Sequence, residues 1–270
     1  MIIFLGLISL IFILGLTAVI AFVVYDRSFD SCTDITQIAT QKRLKASIKI
    51  AVIGDSWVTD KKLDQAISDT MLKNGTKAEV VSSGQPGAVS RQVYRNLTSD
   101  ESTPYSCKRF LRDKQIDFIV VVAGINDTVE HIGHNYYAHH MLCIIKTIQA
   151  KGIYPIVVEI PEYGIAITPP KSFQNYAKRF VYRMLFDKGK HDVILDYRKA
   201  LLAGLTPDIR NNMTIVEYAP LSCNYNDTLD LYENPNHLNE RGYRKLGQII
   251  AEAIIKAHEE RRQSTDPNIR

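Results

Sequence analysis

The chain lacks a dominant charge. Its 33 Lys and Arg against 29 Asp and Glu leave a formal net charge of +4 over 270 residues, with no dense basic stripe carrying interleaved aromatics. A nucleic-acid surface is built from clustered Lys and Arg, so no nucleic-acid partner is expected. Cysteine is scarce as well. Cys32, Cys107, Cys143 and Cys223 are the only ones, and none stands in a C-x-x-C metal spacing. The residues before Cys32, Ser28-Phe29-Asp30-Ser31, do not form a lipoprotein cleavage box. Cys143 falls inside an apolar helical pattern and is expected in the core. Cys107 and Cys223 fall in loop-like segments; in an oxidising compartment they can pair, and the sequence leaves that open.

No Lys or Arg precedes the first apolar run either. Residues 2–24 are 23 positions without a charge. As a helix rising about 1.5 Å per residue they span roughly 30–35 Å, enough for the hydrocarbon core of a bilayer. A cleaved signal peptide has a basic start, a shorter apolar stretch and a small-residue cleavage site, whereas Phe22-Val23-Val24-Tyr25 offers a poor cleavage end. Residues 1–25 therefore read as an uncleaved, single-pass membrane anchor, with a signal peptide as the alternative. Residues 26–46 are polar and weakly periodic, which suits a stalk. The positive-inside count leans toward a cytoplasmic domain through Lys42, Arg43 and Lys45, while Arg27 is offset by Asp26 and Asp30.

Beyond residue 46 strand-like and helix-like segments alternate. Strands are expected over residues 47–53, 78–81, 117–123, 154–160 and 192–195. Helices are expected over 61–73, 89–97, 135–151, 172–186 and 239–259. The run Asp117-Phe118-Ile119-Val120-Val121-Val122-Ala123 is apolar on both faces, as a central parallel strand requires. Five strands alternating with helices predict an α/β domain over residues 47–260, with a parallel sheet covered on both faces and a frayed tail over 261–270. The connection over residues 206–233 is long and is expected to carry short elements of its own.

In such a sheet, reactive groups gather beyond the carboxyl ends of the strands. Four separated segments stand there: Gly54-Asp55-Ser56, Ser83-Gly84-Gln85-Pro86-Gly87, Gly124-Ile125-Asn126-Asp127 and Asn234-Pro235-Asn236-His237. Acyl transfer uses such groups. A serine hydroxyl becomes nucleophilic when a histidine takes its proton, and the oxyanion of the tetrahedral intermediate is held by aimed N–H donors. Gly87 can offer a backbone N–H unobstructed by a side chain, Asn126 its carboxamide, and Ser56 its own N–H. Singly each segment has a plainer reading, as a helix cap, a turn glycine or a surface histidine. Together, in order and each at a strand end, they form one constellation.

These four blocks resemble the SGNH/GDSL hydrolase family, over nearly everything from residue 47 to the last helix. The resemblance implies a flavodoxin-like three-layer α/β/α sandwich, no cofactor and no metal. It also implies Ser56 as nucleophile, His237 as base, and Ser56, Gly87 and Asn126 as the oxyanion hole. The family places an aspartate three residues before the histidine, where this chain has Asn234. Three arrangements answer that departure: a Ser–His dyad oriented by a backbone carbonyl, a carboxylate from Glu233, Asp230 or Asp227, or a site that binds without catalysis. The expectation is a membrane-anchored serine esterase that removes a short acyl group, acetyl foremost, from an envelope glycan, with its domain on the extracytoplasmic side. An acyltransferase and a non-catalytic glycan- or partner-binding domain are the alternatives. His131, His134, His139 and His140 crowd the segment after the third block and are expected at a solvated helix start or the pocket mouth, not around a metal. Residues 163–170 are a candidate pocket wall, and Tyr218, Tyr225 and Tyr232 either contact a sugar or cover the core.

Overall fold

The structure is a computed structural model and describes residues 6, 9–10, 13–21, 27–32, 47–59, 62–99, 103–217 and 230–265. The chain divides into two compact units, Met1–Ser31 and Cys32–Arg270. In the first, residues 13–21 are helical and exposed. Among the described residues no helix is long and apolar enough to cross a membrane. The expected anchor and stalk fall mostly outside the described residues, as do Cys223, Tyr218, Tyr225 and Asp227.

The second unit is built on a five-stranded parallel sheet in the order β2-β1-β3-β4-β5. Its strands are β1 (Ile48–Gly54), β2 (Ala78–Gly84), β3 (Phe118–Val122), β4 (Tyr154–Val158) and β5 (Thr214–Val216). Every residue of β3 and β4 is buried, so both faces of the sheet centre are covered. Helix α1 (Lys62–Lys73) packs on one face beside the last helix, and α2 (Ser90–Thr98) packs with α5 (His134–Gln149). The short helices α3 (Lys108–Arg112) and α4 (Ile125–Val129) flank β3. Beyond β4 come α6 (Phe173–Phe186), α7 (Ile194–Gly204), which packs on α5, and α8 (Pro207–Arg210). A two-stranded antiparallel ribbon, β6 (Tyr232–Asn234) with β7 (His237–Leu238), leads into α9 (Glu240–Thr265). Gly247 lets α9 approach α1 closely, because a Cβ there would lie 2.4 Å from that of Ala66. The order 2-1-3-4-5 reverses the winding between β1 and β3, and the crevice beyond their carboxyl ends is where such sheets bind ligands.

Two boundaries differ from expectation. Residues 192–195 are not the fifth strand but the entry to α7, which begins at Ile194, with Ile194, Tyr197 and Leu201 buried at helical spacing. Four apolar-rich residues are too short a window to tell strand from helix. The fifth strand is the three-residue β5, inside the long connection. The last helix continues to Thr265, and Arg261 is 8% exposed with its guanidinium over the rings of Tyr154 and Phe118. An arginine that stacks on aromatic faces can hold a helix end that its charge alone would mark as solvent-facing.

The cysteines also differ. Cys143 is buried as expected, but it forms a disulfide with Cys32. Cys107 is a free, buried thiol, and burial pushes its pKa up to about 12, so the pairing weighed with Cys223 is not found. Its loop position concealed how deeply it sits under α2, where its N–H donates to Asn96 O at 2.8 Å.

Candidate active site

The loop that carries Ser56 grows out of β1. Asp55 N–H donates to Val122 O at 3.2 Å, which ties the loop to β3. The Asp55 side chain turns back to accept from Trp57 N–H at 3.0 Å. One turn of 3-10 helix, Ser56–Val58, follows. Ser56 is thereby lifted to the rim, half-buried, while Asp55 beneath it is fully buried. Gly87 stands at φ +74°, a backbone conformation that L side chains rarely adopt. Among the described residues neither the Ser56 N–H nor the Gly87 N–H has an acceptor.

Asn126 enters on α4. Its Nδ2 donates to Ala88 O at 3.0 Å and lies 3.4 Å from Asp55 Oδ2. One hydrogen therefore anchors the carboxamide to the Gly87 loop, and the second, at a long distance from Asp55, is open to a better acceptor. Asp127, fully buried, accepts from Ser90 N–H at 2.8 Å and from Ser90 Oγ–H at 2.5 Å, which locks α4 to the start of α2. Burial raises the pKa of both Asp55 and Asp127 to about 7. A protonated Asp55 carries no charge against an oxyanion forming nearby.

His237 arrives on the β6–β7 ribbon, where it and Asn234 are cross-strand partners. His237 Nε2 lies 2.9 Å from Ser56 Oγ, and His237 Nδ1 lies 3.1 Å from Asn234 Oδ1. The same Oδ1 accepts from Asn236 N–H at 3.1 Å, a turn in which an Asn side chain accepts from the backbone two residues on. With Oδ1 engaged by that N–H, the amide presents its oxygen to Nδ1. Nδ1 then carries the proton, and Nε2 is left to accept from Ser56. Asn234 thus faces His237 Nδ1, the position at which the family resemblance implies a carboxylate. Asp230 is exposed and paired with Arg241 at 2.7 Å, and Glu233 is exposed.

The ribbon is tied to the rest of the site by residues that motif reading passed over. Trp57 Nε1–H donates to Asn236 O at 2.8 Å, joining the nucleophile loop to the base loop. Gly164 N–H donates to Pro235 O at 2.9 Å, and Tyr232 OH donates to Glu162 O. Residues 163–170 therefore brace the ribbon, and Tyr232 covers the core. Lys171 is a further residue not singled out before: its Nζ lies 3.2 Å from where a Cβ on Gly87 would stand. Trp57, the only tryptophan and adjacent to Ser56, was the signal available in the sequence.

The histidines after the third block disperse. His131 is buried, its Nδ1 2.8 Å from Asp187 Oδ2, and His140 is buried with Nδ1 2.9 Å from Tyr136 O. The expectation of a solvated helix start is corrected for these two, whose neighbours supply the polar partners that burial demands. His134 packs edge-on to Tyr197, and His139 lies beside Cys143.

No family model matches the chain, and no curated protein matches it. Solved structures do. One described as an acylhydrolase from Bacteroides fragilis has a TM-score of 0.52 at 15% identity, covering 84% of this chain and 95% of that one. A protein described as lipolytic and of the G-D-S-L family, from Desulfitobacterium hafniense, has a TM-score of 0.51 at 15% identity, covering 76% and 98%. The inhibitor-bound aryl esterase of M. smegmatis has a TM-score of 0.51 at 14% identity, covering 77% and 99%. The chain has the α/β/α fold of the SGNH/GDSL hydrolases.

Proposed function

We propose that the protein is a serine ester hydrolase. The observation that carries this reading is the relay from Asn234 Oδ1 through His237 to Ser56 Oγ, at 3.1 and 2.9 Å. Ser56 Oγ attacks the ester carbonyl carbon as its proton passes to His237 Nε2. The oxyanion is met by the N–H groups of Ser56 and Gly87 and by the Asn126 carboxamide. Collapse breaks the bond to the alcohol oxygen, which leaves with the proton from His237. Water, deprotonated in turn by His237, then attacks the acyl-serine, releases the acid and restores Ser56.

The acyl group in this reading is short, acetyl foremost, and the alcohol is a hydroxyl of an envelope glycan. Support for the compartment is twofold: the uncharged run over residues 2–24, read as a single-pass anchor, and the Cys32–Cys143 disulfide, a bond that persists in oxidising surroundings outside the cytoplasm. The domain is accordingly assigned to the extracytoplasmic side, against the Lys and Arg count of its flank.

Ser56→Ala tests the chemistry. Hydrolysis of p-nitrophenyl acetate is expected to fall by about 10⁴-fold or more, as loss of a triad serine does, and labelling by a fluorophosphonate probe to vanish. Turnover that survives the substitution excludes Ser56 as nucleophile. Acetate release from an O-acetylated envelope polysaccharide tests the substrate separately.

A further inference from the structure

Helix α6 turns its apolar side to solvent. Phe173, Tyr176, Phe180 and Met184 recur at three- and four-residue spacing along one side, exposed by 83%, 56%, 49% and 54%. Ile167, 61% exposed in the preceding turn, extends the patch. The opposite side holds the helix to the domain. Tyr182 is buried there, and Asn175 and Arg179 bind the Glu130 carboxylate at 2.8 and 3.1 Å. An ordinary surface helix buries its apolar stripe and exposes its charges. Here the arrangement is reversed, and a contiguous exposed apolar patch marks an interaction surface.

Charge identifies the partner. From Lys171 to Lys190 the sequence has six basic residues and a single acid, Asp187, which is 5% exposed and paired with His131. Arg179 is paired with Glu130 and Lys190 with Asp196, so the basic excess beside the exposed face comes from Lys171, Arg183 and Lys188. Arg183 lies over the Phe180 ring, so a cation borders the apolar stripe directly, while Lys178 lies over the buried Tyr182 on the domain side. Aromatic and aliphatic residues bordered by Lys and Arg are the composition of a helix that lies in a lipid interface. A second copy of the chain would bring the same basic flanks against each other. We propose that the exposed face of α6 rests on an anionic phospholipid surface, with Phe173, Phe180 and Met184 at the headgroup–acyl boundary and Lys171, Arg183 and Lys188 among the phosphates. Lys171, two residues before α6, has its ammonium beside Gly87. Docking through α6 therefore brings the rim of the site to the lipid surface, within reach of esters held there. The face is distinct from residues 2–24, and its docking does not depend on the hydrolase reading.

The test uses the full-length chain carrying Phe180→Trp, reconstituted in vesicles of phosphatidylcholine alone or mixed with phosphatidylglycerol. Trp57 is fully buried, so the parent chain gives the background to subtract. In the phosphatidylglycerol vesicles the new indole is expected to shift to the blue. Acyl-brominated lipid should quench it about twofold more strongly than in phosphatidylcholine alone, with high salt reversing the difference. Emission that stays water-like and unquenched in the anionic vesicles overturns the proposal. A blue shift that needs no lipid and grows with protein concentration assigns the face to a second copy, and overturns it too. Turnover of soluble p-nitrophenyl acetate, read on the same samples, reports separately on Ser56.

Discussion

The two halves of the site are made differently. The loops that carry Ser56, Gly87 and Asn126 hang directly from β1, β2 and β3. Asp55 and Asp127, both fully buried, pin them through Trp57 N–H, Ser90 N–H and Ser90 Oγ–H. His237 sits on a two-stranded ribbon outside the sheet, where Asn234 and Glu233 are exposed. Its register comes from one turn and from three ties, to Trp57, Gly164 and Glu162. One half inherits its geometry from the core. The other acquires it from a few hydrogen bonds, and its imidazole is oriented by a neutral amide where a carboxylate would add charge.

The comparison can be broken first on the core side. Asn126→Ala removes an aimed donor and leaves Ala88 O without its partner, so kcat is expected to fall about 10²- to 10³-fold while KM changes little. A change confined to KM would show that Asn126 binds ground state and transition state alike. The ribbon side is next. Trp57→Phe deletes the bond to Asn236 O and keeps most of the buried ring. Misplacing a catalytic group by an ångström can cost about 10²-fold, so a fall in kcat of about tenfold or more is expected. An unchanged kcat would mean that the remaining ties suffice to hold His237.

Asn234→Asp sharpens the same contrast in the opposite direction. In the serine-protease triad an asparagine in the aspartate's place costs about 10⁴, because the wrong imidazole tautomer is held. Here Asn236 N–H engages Oδ1, so the tautomer is already right, and only the charge is missing. A carboxylate in an exposed position is screened by water, and the expected gain in kcat is therefore only about tenfold. A gain of thousands would show that the amide holds the wrong tautomer during turnover. No gain would show that the imidazolium is stabilised by another group.

This difference also governs what was legible in the sequence. Strands β3 and β4, and β1 beyond Lys49, announced themselves as apolar runs, because a strand buried on both faces leaves little room for polar residues. Ser56, Gly87, Asn126 and His237 were legible because each sits at a strand end or in a short motif. What escaped notice depends on contacts between distant segments. The indole of Trp57 reaches Asn236, and Lys171 reaches Gly87, across separations that no local pattern encodes. The three-residue β5, Thr214-Ile215-Val216, is β-branched throughout and escaped because so short a run inside a long connection does not stand out from a loop. Residues 192–195 were misread because the helical period shows only once Tyr197 and Leu201 are counted with Ile194.

The remaining test is read on stability, not turnover, and concerns the buried carboxyls themselves. Burial raises Asp127 to about 7, whereas an unfolded aspartate titrates near about 3.9. Between those pH values the folded chain holds a proton that the unfolded chain has lost. The resulting stability is fully present below about pH 4 and is lost as pH rises through about 7. Asp127→Asn has no such titration, and its amide can still pair with Ser90: Oδ1 accepts the N–H, and Nδ2 donates to a hydroxyl turned the other way. The wild-type chain should therefore lose urea resistance relative to the variant between about pH 4 and 7, and the gap should level off above that range. Asp55 titrates in both chains and largely cancels, apart from the small relief it gains when the neighbouring charge is removed. A gap that stays constant from pH 4 to 7 would mean that Asp127 is ionised throughout. The nucleophile half would then rest on a buried charge, stabilised by Ser90, and not on a protonated acid.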